Sequence, residues 1–183
     1  MKGNPEVGPA ERSVTLRPVE TEDLDFLADL ANDPEVRANV VGWGWPVARS
    51  GQSDWYRKTL TDDSKQRFLV CNEAGERIGL AEIVDVDFRS GTAAVGLKLG
   101  GTPGARGRGY GGLVLGAIRE FAFTDMGLRK LTAQILADNV PSLRLFTEKG
   151  GWVVEGVRRA QVLHRGEYKD LVQVGLFREG PAR

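Results

Sequence analysis

The sequence predicts a mixed α/β fold in which one central sheet carries helices. Three consecutive alternating segments joined by tight turns predict an antiparallel meander, and a helix–strand–helix run followed by two more strands completes the order. The chain has 183 residues, which is enough for one sizeable core. We expect one domain over residues 13–178, a flexible arm at 1–12 and a short tail at 179–183.

The first part of the chain reads as a strand followed by helices. "SVTLRPVE" alternates as a strand does, and "TEDLDFLADLANDPEVRANV" has helical spacing, with Thr21 expected as its N-cap. Asp33-Pro34 restarts a second short helix with Pro34 in its first position. "GWGWPVARSGQ" reads as a loop and "SDWYRKTLTDD" as a further helical segment.

The middle of the chain is rich in strands. "QRFLVCNE", "RIGLAEIVDVDF" and "TAAVGLKL" follow one another through the short connections "EAGE" and "RSGT". Gly96, inside the third strand, indicates a bulge or a close backbone approach.

The last part alternates helices and strands. "LVLGAIREFAFTDMGL" has helical spacing and ends at Gly127, a C-terminal cap. "KLTAQIL" is a strand, "NVPSLRLFTEKGG" a short helix, and "WVVEGVRR" and "YKDLVQVGLF" are closing strands. His164, the only histidine, is expected as an exposed residue in the turn between them.

Composition excludes several function classes. Lysine plus arginine equals aspartate plus glutamate, 25 each, so no overall basic field suggests nucleic acid or an anionic membrane. The apolar runs are too short to span a bilayer, and the first residues lack the apolar stretch of a secretory signal. One cysteine, Cys71, expected in the core, favours a cytoplasmic protein, and with one histidine we expect no metal.

The stretch "GARGRGYGG" at residues 104–112 stands directly before a helix that has no Ser, Thr, Asp or Asn to cap it. Glycines let several backbone N–H groups converge there, and Arg106 and Arg108 add positive charge, which is typical of a phosphate site. A flexible connector is the alternative. Gly107-x-Gly109-x-x-Gly112 matches a dinucleotide fingerprint, but that fingerprint requires a βαβ unit instead of a preceding meander. No Gly-Lys-Ser/Thr follows, which excludes a Walker A loop.

The other spacing, Arg106-x-x-Gly109-x-Gly111, resembles the acyl-CoA pyrophosphate loop of the GNAT superfamily of N-acetyltransferases. "NVPSLRLFTEKGGW" is similar to a second segment of that superfamily. "EGVRRAQVLHRGEYKDLVQVGL" and the opening "LRPVETEDLDFLADLANDPEVR" resemble the subgroup that includes the ribosomal-protein N-terminal acetyltransferases, which also holds enzymes acting on antibiotics and amino sugars.

This resemblance implies a GNAT-like fold, with a central antiparallel meander, splayed strands and flanking helices, and acetyl-CoA as the acyl donor. Its pantetheine arm would pair with the strand backbone at the gap, and the N–H groups of 107–112 would hold its pyrophosphate. The residues expected to contact acetyl-CoA are Leu97, Lys98, Leu99, Arg106, Gly107, Arg108, Gly109, Tyr110, Gly111, Gly112, Asn139 and Phe146.

The reaction implied is direct attack of a substrate amine on the thioester. A backbone N–H near Leu99 is the expected oxyanion donor. Many relatives use a tyrosine to protonate the leaving thiolate, but this chain has Phe146, which leaves Ser142 or solvent; N-terminal capping of the helix is the alternative role of Ser142.

For the catalytic base we expect Glu82. Strand alternation places Ile78, Leu80, Glu82, Val84 and Val86 on one face, where apolar neighbours would raise the pKa of this carboxyl. A half-exposed strand glutamate is the alternative, and Asp85 and Asp87 are expected in the turn.

The acceptor amine is expected over the first helices, against Trp43, Trp45 and Trp55, unless these rings only pack under the helices. The amine would belong to an amino sugar, an antibiotic or a peptide or protein N-terminus. No acidic cluster clearly marks a polycationic acceptor. An inactive acyl-CoA-binding sensor is the alternative function, and a homodimer is left open.

Overall fold

A seven-stranded sheet forms the centre of the molecule. The structure, a computed structural model, describes residues 12–42, 45–100, 102 and 104–178. Its strands are β1 Val14–Pro18, β2 Gln66–Asn72, β3 Arg77–Asp87, β4 Thr92–Leu99, β5 Lys130–Leu136, β6 Val153–His164 and β7 Glu167–Phe177. They lie in the order β1-β2-β3-β4-β5-β7-β6. All neighbours are antiparallel except β4 and β5, which are parallel.

In the described part of the chain, five helices pack on the two faces of this sheet. They are α1 Leu24–Asn32, α2 Pro34–Arg37, α3 Arg49–Thr59, α4 Tyr110–Glu120 and α5 Val140–Arg144. A 3₁₀ turn, Thr21–Asp23, precedes α1, and π-helical turns continue α4 and α5 to Asp125 and Lys149. Helices α4 and α5 share one apolar core with the sheet, and α1, α2 and α3 cover the opposite face over Leu69, Cys71 and Leu80. The mixed sheet with flanking helices is therefore confirmed.

The residues predicted to begin and cap the helices were partly confirmed. Pro34 is the first residue of α2, and Asp33 caps it by accepting from the backbone N–H groups of Glu35 and Val36 at 2.7 and 3.1 Å. Thr21 is not a cap: Glu20 caps the 3₁₀ turn before α1, where Glu20 and Asp23 satisfy each other's backbone N–H groups reciprocally, and Asp23 is the residue before α1. Among the described residues, no helix is long and apolar enough to cross a membrane.

Two details of the strands differ from those expected. The β3–β4 pairing is regular around Gly96, so Gly96 is not a bulge, and the close backbone approach that was its other reading stays a prediction. The bulge lies on β3 at Asp85, whose φ of 52° an aspartate tolerates better than most residues. His164 is the last residue of β6, half-buried, with Nε2 3.0 Å from the carbonyl oxygen of Ala38. The turn itself uses Arg165 and Gly166, both with positive φ.

Candidate active site

The sheet opens between its two parallel strands. β4 and β5 are paired only over Thr92–Ala94 and Lys130–Thr132. Both strands continue beyond that point, β4 to Leu99 and β5 to Leu136. β4 keeps its pairing with β3, and β5 keeps its pairing with β7. A wedge-shaped gap therefore lies between two otherwise intact ladders, as the splayed-strand expectation requires.

The backbone of β4 presents hydrogen-bonding groups to this gap. The N–H of Gly100 donates to the carbonyl of Ile78 on β3 at 3.0 Å. Because direction alternates along an antiparallel strand, the backbone groups of Lys98 also face β3, whereas those of Leu97 and Leu99 face the gap. Lys98, expected to contact pantetheine with its backbone, is thus turned the wrong way for that contact.

The glycine loop lies at the wide end of the gap and leads into α4. Gly104, Gly107 and Gly109 have φ of 80°, 74° and 86°, a region that favours glycine. Within the described chain, the loop N–H groups that bond to carbonyls are those of Ala105, at 3.1 Å from Thr102, and Gly112, at 3.1 Å from Gly109. Among the described residues, the N–H groups of 106–111 have no backbone acceptor. They lie at a helix N-terminus, the arrangement that binds phosphate.

The two loop arginines differ in their contacts. The Nε of Arg106 donates to the gap-facing carbonyl of Leu99 at 2.8 Å, and its guanidinium forms an ion pair with Glu35 on α2. Arg106 thereby ties the loop to β4 and to α2. The guanidinium of Arg108 folds back over Gly104, where an added Cβ would lie 2.9 Å from its Nη2.

Tyr110 and Gly111 owe their identity to packing. The Tyr110 ring is buried, and its hydroxyl lies 2.9 Å from Glu73, so burial and then this hydrogen bond raise the pKa of the phenol. A Cβ at Gly111 would lie 2.7 Å from Cδ2 of Leu145. The helix begins at Tyr110, inside the glycine-rich stretch 104–112 that was expected to precede it, and only the backbone groups of these two residues remain for acetyl-CoA.

The surroundings of Glu82 differ from those expected. Ile78 and Val86 pack in the opposite core, so the predicted apolar face is interrupted at both ends. Glu82 instead lies between two cations: its Oε1 accepts from Nε of Arg67 on β2 at 3.2 Å, and its Oε2 pairs with the ammonium of Lys98 on β4. All three side chains are nearly buried, with 11–13% exposed.

This cluster carries more positive than negative charge. Burial, and then the charge of Arg67, lowers the pKa of Lys98 to about 8. The guanidinium of Arg67 lies 5.3 Å above the ring of Trp55, and its Nη1 is buried with no partner among the described residues. Arg67 was missed from the sequence, although pairing β2 with β3 through their tight turn places it opposite Glu82.

The helix after β5 positions Ser142 and Phe146. Asn139 caps α5 through Oδ1, which accepts from the Ser142 N–H at 3.1 Å, while its Nδ2 donates to the carbonyl of Asn39 at 3.1 Å. Both polar atoms of Asn139 are therefore engaged inside the fold. Ser142 is not the cap, and its half-buried hydroxyl makes no hydrogen bond within the described chain. Phe146 is buried edge-on against Trp152, with ring centroids 5.0 Å apart.

A cleft of about 560 Å³ adjoins the glycine loop. One wall is acidic and is formed at α1 and α2 by Asp29, Asp33 and Glu35. The other wall is formed by Gly100, Thr102 and residues 104–106. Trp55 lies beneath Arg67, but Trp45 is 85% exposed and forms no wall, and Trp43 falls outside the described residues. In the described part of the chain, no three His, Cys, Asp or Glu residues are grouped closely enough to hold a metal ion. The metal-free expectation stays a prediction.

A split sheet that ends at a glycine-rich helix start without a side-chain cap fits the class of protein that the GNAT resemblance implied, an acyl-CoA-dependent transferase. The acetyltransferase (GNAT) domain family matches residues 13–151. A SPbeta prophage-derived N-acetyltransferase of Bacillus subtilis, YokL, is 28% identical over 91% of each chain. Spermidine N(1)-acetyltransferase of Escherichia coli is 28% identical over 92% of this chain and 88% of its own.

A solved structure shows the same fold. Spermidine N-acetyltransferase of Vibrio cholerae, in complex with CoA and spermine, superposes with a TM-score of 0.82 at 23% identity over 90% of this chain and 95% of that one. The chain belongs to the GNAT acetyltransferase family. It is an acetyl-CoA-dependent acetyltransferase that acts on amines. The narrower expectation, the ribosomal-protein subgroup, is not confirmed by these relatives.

Proposed function

We propose that residues 13–178 form a single domain that transfers the acetyl group of acetyl-CoA to a primary amine at the gap between β4 and β5. The observation that carries this proposal is the gap itself, where gap-facing groups of Leu97 and Leu99 lead to the open N–H groups of 106–111. Pantetheine amides would pair with β4 as a missing strand does, and the pyrophosphate would accept from the loop at the start of α4.

The chemistry of transfer needs three groups. The N–H of Leu99 faces the gap and would donate to the oxyanion that forms when the amine attacks the thioester carbon. The hydroxyl of Ser142 would donate to the departing sulfur, with solvent as the final proton source. Glu82 and Lys98 lie beside β4 on the face covered by α1–α3, which is where the amine would lose its proton.

For the acceptor, we propose a cationic primary amine, with a polyamine as the first candidate. The E. coli and V. cholerae relatives are named for spermidine. In this chain Asp29, Asp33 and Glu35 line the cleft opposite the loop, and carboxylates attract a polycation. Arg49 neutralises part of this wall through Asp25 and Asp29, so amino sugars and peptide N-termini belong in the same comparison.

The test measures thiol released from acetyl-CoA with spermidine, glucosamine and a short peptide with a free N-terminus. Release with at least one amine, matched by acetylated product in mass spectrometry, is the expected result. No release with any of the three amines, while calorimetry shows acetyl-CoA bound, would refute the proposed acceptors and favour the second candidate, a CoA-binding sensor. That candidate is favoured by one observation, the buried Phe146 where many relatives have a tyrosine.

Donor binding has its own test. Gly109→Glu places a carboxylate at the start of α4, where phosphate oxygens would lie, and we expect acetyl-CoA binding to be lost. Gly166→Glu is the matched control, since Gly166 has a similar φ of 83° and open space around it, but lies in the β6–β7 turn. Equal affinity in both variants would refute the loop assignment.

A further inference from the structure

The peptide group that ends β4 is held from both sides. Its N–H, from Gly100, donates to the carbonyl of Ile78 on β3 at 3.0 Å. Its carbonyl, from Leu99, accepts from Nε of Arg106 at 2.8 Å. Among the described residues, β4 has no strand partner on its gap side beyond Ala94, so Arg106 supplies the hydrogen bond that a neighbouring strand would otherwise give. The conformation at the end of β4 therefore depends on this side chain.

The preceding peptide group, between Lys98 and Leu99, carries the N–H that would meet the oxyanion. Its carbonyl points toward β3, where a Cβ added at Gly79 would collide with the Lys98 oxygen. Because a peptide group is planar and trans, the N–H of Leu99 points the opposite way, into the gap. The two peptide groups share the α-carbon of Leu99, so a bond that fixes the Leu99 carbonyl also limits the rotation of its N–H.

The guanidinium of Arg106 has its partners in α2 and beside β4. It forms an ion pair with Glu35, and a Cβ added at Gly100 would lie 3.0 Å from its Nη2. Glu35 offsets the positive charge of Arg106, which weakens the attraction that this charge exerts on a pyrophosphate. The guanidinium of Arg108, in contrast, stays with the loop, over Gly104. The two arginines, expected to contribute alike, are therefore placed differently.

We propose that Arg106 is a positioning residue, which holds the end of β4 so that the N–H of Leu99 meets the oxyanion, and that the charge expected to attract the pyrophosphate is that of Arg108. The inference rests on the proposed function and deepens it, since it assigns the two arginines to two different steps. Arg106 acts only through Leu99, and a displacement of ~1 Å in a catalytic site costs on the order of 100-fold in rate. Loss of the Arg106 hydrogen bond should therefore lower kcat, and loss of the Arg106 charge alone should not.

Three substitutions separate the hydrogen bond of Arg106 from its charge. In Arg106→Gln, the amide nitrogen stands at the same position along the side chain as Nε, so the donor to Leu99 is kept and the charge is lost. Arg106→Lys keeps the charge but has a methylene group at that position, and Arg106→Met has neither donor nor charge. We expect a kcat within about threefold of the wild type for Arg106→Gln, and at least about tenfold lower for the lysine and methionine variants. Thiol release at saturating acetyl-CoA measures it, with whichever of the three proposed amines the wild type uses best.

A matched control comes from α3. Arg57 makes the same two kinds of contact on an exposed helix face, from Nε to the carbonyl of Ser53 at 3.4 Å and from Nη2 to Asp54 at 2.6 Å. Arg57→Lys and Arg57→Gln should both match the wild type in kcat.

Calorimetry with CoA tests the assignment of charge. Arg106→Gln should bind CoA within about threefold of the wild-type affinity, whereas Arg108→Gln should bind it at least about tenfold more weakly, with a loss that shrinks as salt is added.

Amide hydrogen exchange tests the geometry without turnover. The N–H of Gly100 should exchange faster in Arg106→Lys and Arg106→Met than in the wild type, because the carbonyl of the same peptide group has lost its anchor, and Arg106→Gln should retain the slow exchange.

A role for charge would reverse the ranking of the variants. A kcat of Arg106→Lys equal to or above that of Arg106→Gln would overturn the inference, as would a CoA affinity that falls in Arg106→Gln and is kept in Arg106→Lys. If the wild-type protein released no thiol with any of the amines, the proposed function would fail. Equal exchange of the Gly100 N–H in the wild type and all three variants would overturn the inference separately.

Discussion

Replacing Lys98 with methionine should change how stability depends on pH. The pKa of Lys98 is lowered from 10.5 to about 8, first by burial and then by Arg67. Between these values the unfolded chain binds the proton more tightly than the folded one, so the free energy of unfolding rises with pH. The full difference corresponds to ~3 kcal/mol, a destabilisation present below pH 8 and relieved as pH rises toward 10.5.

Lys98→Met lacks this dependence, so the comparison isolates one residue. The difference in unfolding free energy between the wild type and Lys98→Met should move in favour of the wild type by ~2 kcal/mol as the pH is raised from about 8 to about 10. Urea unfolding followed by tryptophan fluorescence measures it, provided that the denaturant slope is the same in both proteins. The chain has four tryptophans for this signal.

A matched control removes the effect of other titrating groups. Hydrogen bonds to Glu167 and Asp138 raise the pKa of Lys169 above 10.5, so its favourable contribution stays complete until the pH exceeds that value. Lys169→Met should therefore run parallel to the wild type over the same pH range. Parallel curves for Lys98→Met as well would refute the argument, since they would mean that Lys98 titrates alike in the folded and unfolded chain.

Three further outcomes follow from the packing. Gly79→Ala should destabilise the fold by at least ~2 kcal/mol in urea unfolding, because its Cβ would meet the backbone oxygen of Lys98, whereas Gly156→Ala should change little; similar stabilities would contradict the close approach. Ser142→Ala should lower kcat roughly tenfold with unchanged acetyl-CoA affinity, a smaller loss than removal of a general acid would cause. An unchanged kcat would mean that solvent, and not Ser142, donates to the departing sulfur. Asn139→Ala should cost ~1 kcal/mol of stability through the lost cap; weaker acetyl-CoA binding without lower stability would show direct contact instead.

The sequence was sufficient for the elements and for the glycine loop. Period-two and helical spacing identify strands and helices because each pattern depends only on the residues of its own segment. The positions with positive φ in the loop are recognisable because they are glycines. The lack of a side-chain cap at the start of α4 followed from the residue types alone.

The side chains that surround Glu82 could not be predicted from the spacing of residues along one segment. Alternation along β3 shows which face Glu82 occupies but says nothing about the side chains that neighbouring strands bring to it. The β2–β3 register places Arg67 opposite Glu82, and the β3–β4 register brings Lys98 to the same face. The irregularity at Asp85 then moves Val86 to the other core, which period-two reasoning along one strand does not detect.

The parting of β4 from β5 has a consequence for the order of events. The sheet consists of two ladders, β1–β4 and β5–β7, which are joined up to the pair of Ala94 and Thr132 and not paired with each other beyond it. A pantetheine arm lying in the opening would pair with both ladders as an added strand does, and would fix the angle between them. The wall that receives the amine would then be complete only after the donor has arrived. This geometry favours an order of binding in which acetyl-CoA enters first and the amine second. The amine then attacks the thioester in a site that bound CoA has already made rigid.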